Sequence, residues 1–237
     1  MTTRWKVLYE FQTGIKVVNP VLSYPSMGLT LQYEGEKLLR IERELDIDDA
    51  VEPAQVLDKS EADLKLFWEL LEYRWRLPLP PLSKSIERIQ DQPTTQGRTL
   101  FIQSTLSASI HAPVIMPKTS ELLCDNTRIL VWLKLANEAR KYDSAADAIR
   151  NYYMIWEDLH SGQNKEGWPR EAIELNYVRD FVSHAKITNK NLLTFLKQEL
   201  GEETFQFDPT NARHIDFINR YYLKCRKLVE NELDKQL

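Results

Sequence analysis

Three side chains able to do chemistry stand together in the run "NYVRDFVSHAKITN", residues 176 to 189: Arg179, Asp180 and His184. A histidine can move protons near neutral pH, and an always-charged forked guanidinium can stabilise charge on a phosphorus centre. On a helix, Asp180 and His184 lie four residues apart and share a face, so the carboxylate can hold the imidazole in one tautomer and favour its protonated form. Arg179 is five residues from His184, about 140° around an ideal helix. The two converge on one phosphate only if the helix ends or bends between them, or if a second subunit completes the site. A purely structural reading stands beside this one: a salt-bridged helix end, with Arg179 paired to Glu174 or Asp180 and His184 as a cap.

The elements that must position these residues differ between the two halves of the 237-residue chain. The first half alternates. Trp5, Val7, Tyr9 and Phe11 share one face, as do Met27, Leu29, Leu31 and Tyr33, and "YEGEK" at 33–37 suggests a hairpin turn at Gly35. A late run from Leu100 through Ile102 and Leu106 to Ile110 alternates again. Ser60 with Asp63 suggests a capping box before a helix carrying Leu64, Phe67, Trp68, Leu71 and Trp75, ended by "LPLPPL" at 77–82. The expected first domain, 1–118, is therefore mostly antiparallel β with one helix.

Beyond it, residues 119–237 read as an all-α bundle of five helices. Asn126 or Thr127, Ser144 with Asp147, Pro169, the run from Leu192 to Gly201, and "DPT" at 208–210 mark successive starts and stops. The last helix is expected to bury Ile215, Ile218, Tyr222, Cys225 and Val229. The fold class is α+β, with the boundary in a stretch broken by Pro113 and Pro117.

Composition narrows the function. A formal net charge of −4 argues against constitutive, tight nucleic-acid binding over the whole surface, so any such contact is local. Cys124 and Cys225 lie far apart, which fits buried thiols in a reducing cytoplasm better than a disulfide framework or a zinc site. No run approaches the ~20 apolar residues of a membrane helix. "GQNKEG" at 162–167 lacks the Lys-Ser/Thr of a phosphate loop, and no GxGxxG, GxSxG or HExxH occurs, so no metal or cofactor is implied. His111, His160 and His214 are expected as surface or capping residues. On the last helix Arg213, Arg220, Lys224 and Lys227 fall within about 60° of one another, a stripe that can hold RNA phosphates or simply face solvent. Tyr221 and Trp168 are candidate base-stacking residues or plain core.

"RDFVSH" on a bundle helix resembles the R-x4-6-H motif of the HEPN superfamily, at its shortest spacing and with aspartate where asparagine is usual. The resemblance covers roughly residues 125 to 237, and the layout is similar to bacterial defence proteins with a β-rich part before a HEPN domain. It implies a metal-independent endoribonuclease: the RNA 2'-OH attacks the adjacent phosphate, giving a 2',3'-cyclic phosphate and a 5'-OH. Arg179 and His184 would be catalytic, with Asp180 either orienting His184 or repelling RNA. Because one chain offers one motif histidine, the resemblance also implies a homodimer with two motifs facing one cleft. The first domain would then sense, select or dock a protein partner. A non-catalytic assembly or adaptor role is the rival reading, and nucleotide transfer in a toxin–antitoxin pair ranks last.

Overall fold

The computed structural model describes residues 2–48, 51–76, 79–89, 98–102, 114–122, 127–201 and 203–237, with backbone only at 98–102. The chain forms two compact units, Met1–Asp125 and Asn126–Leu237.

The first unit is a six-stranded antiparallel sheet in the order β2-β3-β4-β1-β5-β6. Its strands are β1 (Thr2–Lys16), β2 (Ser23–Tyr24), β3 (Leu29–Glu34), β4 (Lys37–Asp48), β5 (Leu82–Ile89) and β6 (Arg98–Ile102). The alternation of Trp5, Val7, Tyr9 and Phe11 sets the buried face of β1, and Tyr9 and Phe11 meet Trp68 edge to face at 5.1 and 6.5 Å. Glu34 pairs with Lys37 across a two-residue loop whose first residue, Gly35, takes φ 59°, the conformation a tight hairpin requires. Met27 belongs to a 3₁₀ turn rather than to β3, because Gly28 at φ 64° lies against the backbone of Glu44 and turns the chain there.

The single helix expected from Ser60 is two: α1 (Pro53–Asp63) and α2 (Lys65–Trp75), meeting at buried Leu64. The first begins earlier because Gln55 Oε1 accepts from the backbone N–H of Glu52 at 3.2 Å. Ser60 is no cap. It is buried inside α1, where its hydroxyl accepts from Tyr9 at 2.8 Å and its carbonyl from Arg43 at 2.8 Å. The short helix α3 (Thr119–Leu122) belongs to this unit and not, as the boundary at residue 118 implies, to the helical one. Arg74 bonds Glu121 at 2.6 Å and the Met116 carbonyl at 2.8 Å, and Tyr24 donates to the Pro117 carbonyl at 2.7 Å. Leu77, Pro78, Leu106, Ile110, His111, Pro113, Cys124 and Asn126 lie outside the described residues.

Among its described residues the second unit holds five α-helices: α4 (Thr127–Lys141), α5 (Ala145–Leu159), α6 (Arg170–Ser183), α7 (Lys190–Leu200) and α8 (Ala212–Asp234). Helix α5 touches α4, α6 and α8, and so sits at the centre. Ser144 caps α5, Pro169 precedes α6, and Gly201 closes α7 at φ 73°. "DPT" forms a turn before α8 rather than its start, and Asn211 makes the cap by accepting from Arg213 N–H at 2.9 Å. On α8 Ile218, Cys225 and Val229 are buried as expected, but the core face extends further on one side than the expected stripe. His214, Phe217 and Tyr221 are inside, while Ile215 is exposed. His214 is neither surface nor cap: it stacks against Phe207, lies edge-on to Phe181, and accepts from the Asp208 N–H at 3.0 Å. Between α5 and α8, Glu230 is buried and accepts from Arg140 at 2.7 and 2.9 Å, Arg226 at 3.0 Å and Tyr152 at 3.2 Å. No helix among the described residues is long and apolar enough to cross a membrane.

Candidate active site

Helix α6 ends at the motif. Ser183 is its last residue, and His184 leaves in extended backbone, φ −104° and ψ 131°, with its N–H still bonded to the Asp180 carbonyl at 3.1 Å. This is the helix end that Arg179 and His184 need if they are to meet. They meet through Asp180, whose Oδ1 lies 2.9 Å from Arg179 Nη1 and 3.5 Å from His184 Nε2. The imidazole is 57% exposed and the guanidinium 24%, so the histidine faces solvent while the arginine is partly enclosed.

What encloses Arg179 comes from α5. Its guanidinium carbon stands 4.0 Å from the centre of the Tyr153 ring, a close cation–π contact. The Tyr153 hydroxyl donates to Glu157 at 2.8 Å and accepts from Lys165 at 2.9 Å, so the ring is held in place. Burial opposes ionisation of Glu157, but the bonds from Tyr153 and Lys165 and the nearby Arg179 outweigh it and hold the carboxyl below its ordinary range. The Nε of Arg179 is buried and bonds to no acceptor among the described residues. Asp180 therefore holds the Nη1 side of the guanidinium, while Nε is closed off from solvent.

A second arginine fixes the helix end. Arg150 on α5 donates to the Val182 carbonyl, approaches Ser183 Oγ at 3.3 Å and pairs with Asp147. It meets one of the carbonyls that a helix end leaves without an intrahelical partner, and the negative end of the helix dipole, two residues before His184. Neither Arg150 nor Tyr153 is apparent in the sequence as part of the site. Both lie on a helix whose amphipathic pattern says which face is inward, but not which residue of α6 it meets.

The other sequence candidates separate from this cluster. Arg213, Arg220, Lys224 and Lys227 are all exposed on α8. Arg213 and Arg220 line an open groove of about 660 Å³ beside Glu199 and Leu200 of α7. That groove also contains Asp216, so the stripe is interrupted by acids, and it borders α7 whereas Arg179 borders α5. Tyr221 is core, 3% exposed against Phe195 and Phe217, with Lys224 Nζ 4.3 Å from its ring centre. Trp168 is 6% exposed and packs edge-on to Trp156. His160 caps α5, stacked on Trp156 at 3.9 Å with Nδ1 3.0 Å from its carbonyl. Among the described residues no three of His, Cys, Asp and Glu gather closely enough to hold a metal ion. No family model, curated protein or solved structure matches this chain.

Proposed function

We propose that the helical unit is a metal-independent endoribonuclease of the HEPN type, with Arg179 and His184 as catalytic residues and Asp180 as the group that aligns them. One observation carries the reading: the helix stops at His184, leaving an exposed imidazole that shares a carboxylate oxygen with the Arg179 guanidinium. In the proposed reaction His184 moves a proton at the 2'-oxygen or the 5'-leaving oxygen, and Arg179 neutralises the pentacovalent phosphorane. The products are a 2',3'-cyclic phosphate and a 5'-OH. Taking a proton and giving one are separate tasks, so the reading includes a homodimer in which two motifs share a cleft. Incubating single-stranded RNA with the protein in EDTA tests it. Wild type should cleave, and His184→Ala and Arg179→Ala should each lose about a hundredfold or more. Equal cleavage by all three, or none by any, ends the reading.

The adaptor reading has its own observation. Arg179 is held in an intrachain ion pair and against Tyr153, and the helical unit exposes Val131 (49%), Met154 (53%) and Leu223 (64%). A protein that self-associates normally but cleaves nothing would favour it.

A further inference from the structure

On α6 the residues Ile173, Tyr177 and Asp180 recur at i, i+4 and i+7, and His184, capping the helix at i+11, continues the same stripe. The N-terminal part of that stripe walls an open groove of about 510 Å³ whose other wall is α7. Tyr177 and Phe195 face each other across it, with ring centres 5.4 Å apart, and both remain partly exposed. Around them stand Asn191, Thr194 and Gln198, all exposed, with Trp168 at the far end. Among the described residues, the Tyr177 hydroxyl and the Asn191 and Gln198 side-chain amides make no hydrogen bond. The two charged residues of the lining, Glu174 and Arg170, pair with each other at 2.8 Å.

Away from that ion pair, the lining is aromatic faces plus uncharged donors and acceptors. That chemistry suits a neutral, planar ring with polar edges and not a phosphate. Further cationic side chains stand at the other end of the stripe, at Arg179, with Lys186 just past His184 and Lys190 opening α7, both lysines exposed. Tyr177 precedes His184 by seven residues, about 10 Å along the helix. A base in the groove therefore belongs to a nucleotide beside, or one removed from, the one whose phosphate is at His184. Single-stranded RNA is held in this manner, with unstacked bases laid on aromatic rings and their edges bonded.

We propose that the groove between α6 and α7 is a nucleobase subsite for single-stranded RNA, and that the strand runs along the stripe from Tyr177 to His184 and not along the basic face of α8. The proposal rests on the ribonuclease reading for its occupant. It is tested by binding, which does not depend on cleavage. The probe is a fluorescein-labelled 2'-O-methyl RNA 10-mer, which lacks the attacking hydroxyl, titrated with full-length protein in EDTA and followed by anisotropy. Tyr177→Leu and the double substitution Asn191→Ala/Gln198→Ala should each weaken binding about fivefold or more, the latter at exposed positions where folding is not at stake. An abasic version of the strand should bind wild type weakly and be indifferent to both changes. Arg220→Ala/Lys224→Ala should have the smaller effect. Unchanged affinity in the groove variants, or a larger loss from the α8 pair, overturns the subsite even if His184→Ala abolishes cleavage. Groove variants that change only self-association make it a protein interface and also overturn it. Affinity loss as expected, with no cleavage by wild type, upholds the subsite and overturns the catalytic reading instead.

Discussion

Asp180 links Arg179 to His184. Its Oδ1 reaches both, at 2.9 and 3.5 Å, so one carboxylate orients the imidazole and anchors one edge of the guanidinium. If alignment outweighs the repulsion of an anionic substrate, Asp180→Asn lowers the cleavage rate about tenfold or more with little change in KM. If repulsion dominates, the same change lowers KM and raises the rate. Steady-state kinetics on a short RNA separates the two. Residue types and spacing expose this triad in the sequence. Arg150 and Tyr153 are hidden there, because each reaches α6 from about thirty residues away in the chain.

At the scale of elements, the site stands on the α5–α6–α8 packing. Glu230 of α8 is buried with Arg140 of α4, Tyr152 of α5 and Arg226 of its own helix around it, so its charge is needed where it stands. Glu230→Gln leaves both arginines without their shared counter-charge and should destabilise the helical unit by about 3–5 kcal/mol. A fall in the urea midpoint of the far-UV helical signal measures this. Cys225 reports on the same helix. Burial pushes its thiol up to about 12, so it is protonated and shielded in the native state. In a Cys124→Ser background, iodoacetamide at pH 8 should label Cys225 only as fast as α8 opens, and Glu230→Gln should speed the labelling. Fast labelling of the folded protein would contradict that packing.

For the whole molecule, the open question is whether one chain holds a complete site. In co-expressed mixtures of wild type with Arg179→Ala/His184→Ala, a site built from two motifs makes activity fall as the square of the wild-type fraction. A linear fall would place the site within a single chain. The two compact units, Met1–Asp125 and Asn126–Leu237, allow the sheet unit a separate task, and the segment carrying Met116, Pro117 and Glu121 packs on that sheet unit.

Much of the architecture is legible in the chain itself: alternation set the buried face of β1, Ser144 and Gly201 bounded helices, and the residues from Arg179 to His184 named the candidate chemistry. These are local properties, fixed by backbone preference and by the period at which apolar side chains recur. The tertiary structure decided what periodicity leaves open. It split the helix at Leu64 and drew Ser60 inward to Tyr9 and Arg43. It chose His214 and Phe217 over Ile215 for the core face of α8, and it set Tyr153 and Arg150 against the end of α6. Each of those outcomes depends on which distant side chain fills the facing space, and packing between elements fixes that only when the chain is folded.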